Sequence, residues 1–274
     1  MNDQELKAKA AQLRADAATM IVRGGGGHTG GTMSSLDALV CLYYHVLYIN
    51  SAQPDWPDRD RFLLSKGHSV EGYWAILADL GFFPKEELRT YSKPGSRLIG
   101  HPNNRVPGVE LCTGALGHGL PAGVGMALGA KRSGAPWRTF VLMGDGEQAE
   151  GSVWEAAMAG ANYRLDNLTA IIDRNGLQIS GPTEQTMALE NLKDKWAAFG
   201  WDAEITDGND MVSLLHYFDT PRPSGRPHCL IMRTVKGKGL PFAENRAEWH
   251  HKVPTEEQLK EAYVALGVKG ASFE

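Results

Sequence analysis

The sequence predicts an α/β fold, a mostly parallel sheet flanked by helices, and three observations carry that prediction. Residues 139–143 (TFVLM) and 168–173 (LTAIID) are short, apolar and partly β-branched, so each reads as a buried strand. Between them, AEGSVWEAAMAGANY sets Trp154, Ala157, Met158 and Ala161 at helical spacing. A strand, a helix and a strand in this order make a βαβ unit, whose strands run parallel in one sheet. Composition agrees: 274 residues, 42% hydrophobic and 22% charged, suffice for one large domain spanning 1–274 with a full core.

The remaining elements follow in chain order. Residues 3–22 form a charged amphipathic helix whose acidic residues exclude a signal peptide. TMSSLDALVCLYYHVL reads as one helix and RFLLS as a short strand. Two segments carry small residues every fourth position: Gly119, Gly123 and Ala127 in one, Ser152, Ala156 and Gly160 in the other. Such stripes allow close helix approach, and they suit a subunit interface as well as packing within the domain. PTEEQLKEAYVALG predicts a C-terminal helix within residues 255–274. His45 and His216 fall in apolar helical patterns (CLYYHVLY, VSLLHYF) and read as packing residues.

Charge and composition exclude several function classes. A net charge of −4 gives no footing for nucleic acid or an anionic membrane. No apolar run approaches the ~20 residues of a membrane span. Three scattered cysteines, Cys41, Cys112 and Cys229, read as reduced thiols, which fits a cytoplasmic location.

Candidate chemistry gathers where the two strands end. Gly144-Asp145-Gly146 closes the first and Asn175 follows the second. In an open α/β sheet the crevice beyond the carboxyl ends is where ligands bind. A carboxylate, an amide oxygen and a backbone carbonyl suit a hard cation such as Mg²⁺ or Ca²⁺. Flanking glycines let backbone N–H groups reach phosphate oxygens. Two unrelated strand-end turns would also account for these residues. Four of the nine histidines, His28, His68, His101 and His250, lie in glycine-rich or loop-like contexts. Imidazole there suits anion binding and proton transfer near neutral pH.

The motifs resemble those of transketolases along nearly the whole chain, from about residue 10 to about 255. GDG followed about thirty residues later by Asn is the family's thiamine diphosphate signature. GGGGHTGG, DRDRFLLSKGH, GHPNNRVPGVELCTGALGHGLPAGVGMALGAK, MGDGEQAEGSVWEAA and TVKGKG with EWHHK match its blocks in order. The resemblance implies a thiamine diphosphate-binding (PP domain) fold. It implies metal ligands at Asp145, Asn175 and the Leu177 backbone, and diphosphate contacts at His68, His250 and Gly146. Gly114 and Leu116, within Thr113-Gly114-Ala115-Leu116-Gly117, should face the aminopyrimidine. His28 and His101 should hydrogen-bond substrate and move protons. Glu150 matches an acid lying between the two active sites of a dimer, where burial would raise its pKa. Departures are Arg174 before the metal Asn, His118 in the GQG position and Asn103 in the GHPE position. His251 is an alternative to His250 for the diphosphate role.

In this superfamily a glutamate on a separate pyrimidine-binding domain activates the cofactor, and nothing after the last helix here could form that domain. The resemblance therefore implies the N-terminal subunit of a two-chain transketolase, paired with a companion C-terminal subunit in an α₂β₂ assembly. Its reaction would move a two-carbon ketol unit from a ketose phosphate to an aldose phosphate. Rival readings are the α subunit of a thiamine-dependent 2-oxoacid dehydrogenase, a non-catalytic protein of the same fold, and a catalyst for a branched or sulfonated ketose phosphate.

Overall fold

In the computed structural model, which describes residues 1–274, the apolar runs assemble into a five-stranded, all-parallel sheet. Its strands are β1 (Arg61–Leu64), β2 (Thr139–Gly144), β3 (Leu168–Arg174), β6 (Asp202–Asp207) and β7 (His228–Arg233), in the order β1-β2-β3-β7-β6. A two-residue hairpin, β4 (Leu177–Gln178) with β5 (Gly181–Pro182), leaves the end of β3. β6 and β7 lie outside the sequence expectation. β6 (DAEITD) is a half-exposed edge strand, so it carries no continuous apolar signal.

Alternation along the central strands divides the core into two layers. Phe140 and Leu142 face a large cluster built with α1 (Asp3–Gly24), α3 (Leu36–Cys41), α4 (Val70–Asp79) and α9 (Met211–Asp219). Val141 and Met143 face the other way, toward α5 (Gly119–Ser133), α6 (Gly151–Asn162) and α8 (Leu192–Ala198). A third cluster joins α1 to the 240–249 segment and α10 (Glu256–Leu266). The small helices α2 (Thr29–Ser34) and α7 (Thr183–Thr186) lie beside the strand ends. Both terminal helices start on capping boxes, Asn2 with Glu5 and Thr255 with Gln258. Beyond Gly267 the chain returns to α1: Ser272 N–H donates to Asp16 and Phe273 is buried.

Two expectations are corrected, the single helix over TMSSLDALVCLYYHVL and the packed His45 and His216. The helix expected over TMSSLDALVCLYYHVL is three pieces: α2, α3 and a π-helical turn at Leu42–Val46. Ser34 and Ser35 both turn their hydroxyls onto the Gly31 carbonyl, a competition that interrupts regular helix. On α6 the buried face is Val153, Ala156, Ala157 and Gly160, which leaves Met158 54% exposed. His45 and His216 are exposed rather than packed, and His45 Nε2 sits 2.7 Å from Asp219 Oδ1. Of the two readings left open for the small-residue stripes, packing within the domain accounts for Gly160 and Gly123. A Cβ on Gly160 would lie 2.9 Å from the Trp201 ring, and one on Gly123 would lie 2.6 Å from Val141.

Candidate active site

Four of the five strands deliver polar groups from their carboxyl ends to one place. β1 continues into Ser65-Lys66-Gly67-His68, β2 into Asp145, β3 into Asp173-Arg174-Asn175, and β7 into Thr234 and Lys236. They converge on a cavity of about 280 Å³ lined in part by His28, His68, Asp145, Asn175, Lys236 and His250. Gly114, Leu116, Gly146 and Leu177 also line it. The crevice thus lies where the topology places ligands in open α/β sheets.

The histidine positions depend on close backbone contacts. His28 N–H donates to the fully buried Glu71, which also accepts from Thr32 and Tyr91. Burial pushes the Glu71 carboxyl up, against these donors. Gly27 has φ +154, and a Cβ there would lie 2.6 Å from Glu71 Oε1, so only glycine fits. A Cβ at Gly30 would lie 2.9 Å from the Trp249 carbonyl. The glycine run thus seats His28 against the turn that carries His250. The His28 ring lies 5.1 Å from His68, 5.6 Å from His250, 6.2 Å from His101 and 4.6 Å from His251, centroid to centroid. His101 packs on Gly114 at the edge of the cavity. His250 lines the cavity beside the buried Trp249, whereas His251 is exposed.

Burial lowers the pKa of four of these rings: His28 to about 4, His250 to about 3, His68 to about 2, and His101 in the same direction. At neutral pH they are therefore uncharged hydrogen-bonding groups. Positive charge comes instead from two buried lysines that the motif reading missed. Lys66 donates to Asp173 at 2.5 Å and to the Gly31 carbonyl at 2.8 Å. Burial pushes Asp173 up, but Lys66 and the Ser34 and Thr234 hydroxyls outweigh it and hold the carboxyl down. Lys236 donates to the Leu177 carbonyl at 2.9 Å and to His250 Nδ1 at 3.0 Å, and burial lowers it to about 8. Both lysines lie inside motifs, LSKGH and TVKGKG, in which the histidine and the glycines are the more conspicuous residues.

The candidate cation ligands sit together. Asp145 accepts from Gly146 N–H at 2.8 Å and Gly176 N–H at 2.7 Å. Burial and Asp173 raise its pKa, opposed by Gly176 N–H and Arg174. Asn175 donates its amide nitrogen to Asp173, which turns its amide oxygen toward Leu177 N–H. No cluster of three or more His, Cys, Asp or Glu side chains with metal-binding geometry occurs; the set is one carboxylate, one amide and one carbonyl. Cationic donors already stand on two of these oxygens, Arg174 on Asp145 and Lys236 on Leu177. The residues therefore fit a cation bound through hard oxygen ligands.

Glu150 does not join this cavity. It is exposed where α6 begins. The buried acid is Glu147, which sequence reading passed over. It accepts from Ser65, from Gly117 N–H at 2.8 Å and from Gly144 N–H at 3.1 Å. It thereby ties β1, the 113–117 loop and the strand-end turn together, and burial pushes its pKa up.

A parallel sheet with a glycine-bounded Asp, a following Asn and a ring of histidines at its strand ends defines a thiamine diphosphate-binding fold. The chain belongs to the family described as "Transketolase, thiamine diphosphate binding domain", which it matches over residues 6–274. It is 47% identical to an apulose-4-phosphate transketolase subunit of Phocaeicola vulgatus, over 96% of this chain and 94% of that one. A 6-deoxy-6-sulfo-D-fructose transketolase subunit of a Clostridium species is 41% identical over 90% of both chains. The crystal structure of Campylobacter jejuni transketolase superposes with a TM-score of 0.91 at 30% identity, covering 98% of this chain but 43% of that one. This is a transketolase chain of the same extent as those two subunits.

Proposed function

We propose that this chain supplies the diphosphate- and cation-binding half of a two-chain transketolase. The whole enzyme transfers a two-carbon ketol unit from a ketose phosphate to an aldose phosphate. The observation that carries this reading is the convergence of Asp145, Asn175 and Leu177 with His68, His250 and Lys236 in one cavity at the strand ends. Asp145, Asn175 and the Leu177 carbonyl would hold Mg²⁺ or Ca²⁺. Gly146 N–H, His68, His250 and Lys236 would hold the diphosphate, the neutral imidazoles donating N–H bonds and the ammonium the charge. Gly114 and Leu116 would lie against the aminopyrimidine. Thiamine diphosphate, when bound, supplies a carbanion and the electron sink that stabilises it.

His28 and His101 stand beside the cavity, where they can hydrogen-bond sugar hydroxyls and move a proton to or from them. His28 suits hydrogen bonding to a sugar hydroxyl because its Nδ1 is buried without a protein partner and its ring is neutral at pH 7. Glu150, exposed in the single chain, would meet a second copy at an α₂β₂ interface. The companion chain would carry the activating glutamate and the contacts to the sugar phosphate. Two relatives named for apulose 4-phosphate, at 47% and 44% identity, favour a branched ketose phosphate. Three free cysteines suit a reducing, cytoplasmic setting.

Affinity purification from native lysate with thiamine diphosphate and Mg²⁺ tests the reading. Stoichiometric recovery of a second chain, and ketol transfer by the pair with apulose 4-phosphate exceeding that with a straight-chain ketose phosphate, are the expected results. Recovery of this chain alone would overturn the two-chain reading. Equal rates with both sugars would overturn the substrate assignment only.

A further inference from the structure

We propose that Arg174 is a positioning residue of the cation site, one that competes with the divalent cation for Asp145 and so sets how tightly the cation is held. This rests on reading Asp145, Asn175 and Leu177 as the cation's ligands. Arg174 ends β3 immediately before Asn175, and its side chain is 11% exposed. Its Nη1 donates to Asp145 Oδ2 at 3.2 Å and to Thr183 Oγ1 at 2.7 Å. Its Nη2 donates to Glu184 at 2.8 Å and to Glu190 at 3.1 Å, and Nε reaches Glu190 at 3.2 Å.

One guanidinium thus spans the cation's carboxylate and two outer carboxylates. The Asp145 contact is among the longest of the five bonds, so it is the one a cation would displace most easily. A guanidinium cannot give up its proton, so its charge stays beside the incoming cation and opposes it. Glu184 and Glu190 partly neutralise that charge and hold the group outward. Glu184 itself caps Leu189 N–H and Glu190 N–H. Occupancy of Asp145 is therefore linked to the pairing of Arg174 with the 183–190 segment. An arginine at this place relaxes the cation's hold, and its outer carboxylates restore part of it.

The test titrates Mn²⁺, read by the paramagnetic resonance of the free ion, into the full chain purified with its co-purifying partner and supplied with thiamine diphosphate. Arg174→Gln should tighten Mn²⁺ by about tenfold, because a charge is removed from a poorly solvated site. Arg174→Lys should stay near the original affinity, which separates charge from shape. Glu190→Gln leaves Arg174 in place and should weaken Mn²⁺ by roughly threefold, the size expected of a half-exposed pair. Unchanged affinity in Arg174→Gln, or a shift in Glu190→Gln toward tighter binding, overturns the proposal. A parent protein that binds no more Mn²⁺ than Asp145→Asn would overturn the cation-site reading itself, and this inference with it.

Discussion

Lys236 shows how much the chemistry of the cavity depends on an inconspicuous residue of a motif. Its ammonium is almost wholly buried, and its two partners are a carbonyl and an imidazole nitrogen, neither of which neutralises it. A buried cation without a direct carboxylate partner is costly unless an anion completes the site. Lys236→Met keeps most of the volume and removes the charge. It should weaken thiamine diphosphate binding by about tenfold or more, measured by isothermal titration at fixed Mg²⁺. Unaltered affinity would show that the diphosphate is held elsewhere. The same site explains why histidines alone were an incomplete guide. Glycine-rich flanks mark where a ring is seated, but not whether it is charged, and charge is decided by burial that only the fold creates.

At the scale of elements, two helical glycines make opposite predictions, one buried on α6 and one on the outward face of α5. Gly160→Val drives a branched side chain into the Trp201 ring and should destabilise the chain by about 1–3 kcal/mol in urea denaturation. Gly129, on the outward face of α5, has no neighbour within 4 Å of its Cβ position. Gly129→Ala should therefore raise the stability of the isolated chain by about 0.5–1 kcal/mol, through helix propensity. A loss instead would mean that this face is already covered in solution. β2, α6 and β3 were legible because apolar runs, helical spacing and punctuating glycines coincide there. β6 was not, since Ala203 and Ile205 alternate with Asp202, Glu204 and Thr206 at a half-exposed edge and make no continuous apolar run. The break between α2 and α3 was hidden too, because the Ser34 hydroxyl also reaches Asp173, a contact made across 139 residues of chain. Met158 shows that helical spacing finds an apolar stripe without saying which side of it meets the sheet, since it is 54% exposed.

For the molecule as a whole, the depressed histidine pKa values predict a dependence of stability on pH. A histidine that is neutral when folded takes up a proton on unfolding at any pH between its folded value and about 6.5. Stability must therefore fall as pH drops below about 6.5, down to about 4 for His28, 3 for His250 and 2 for His68. Glu71, Glu147 and Asp145, whose values are raised, act in the opposite direction. His68→Gln isolates one contribution. Its melting temperature should depend less on pH between 5 and 7 than that of the parent, by calorimetry on cofactor-free protein, and an equal slope would contradict a neutral His68. The return of the chain to α1 acts on a different axis, that of time. α1 leaves the ribosome well before the segment that closes on it: Asp16 waits for Ser272, 256 residues later, and Arg89 waits for the Phe273 carbonyl. At about 5–20 residues per second that interval is on the order of tens of seconds. For that long the face of α1 that packs on the 240–249 segment and α10 stays uncovered, so the nascent chain exposes apolar surface that the folded protein buries.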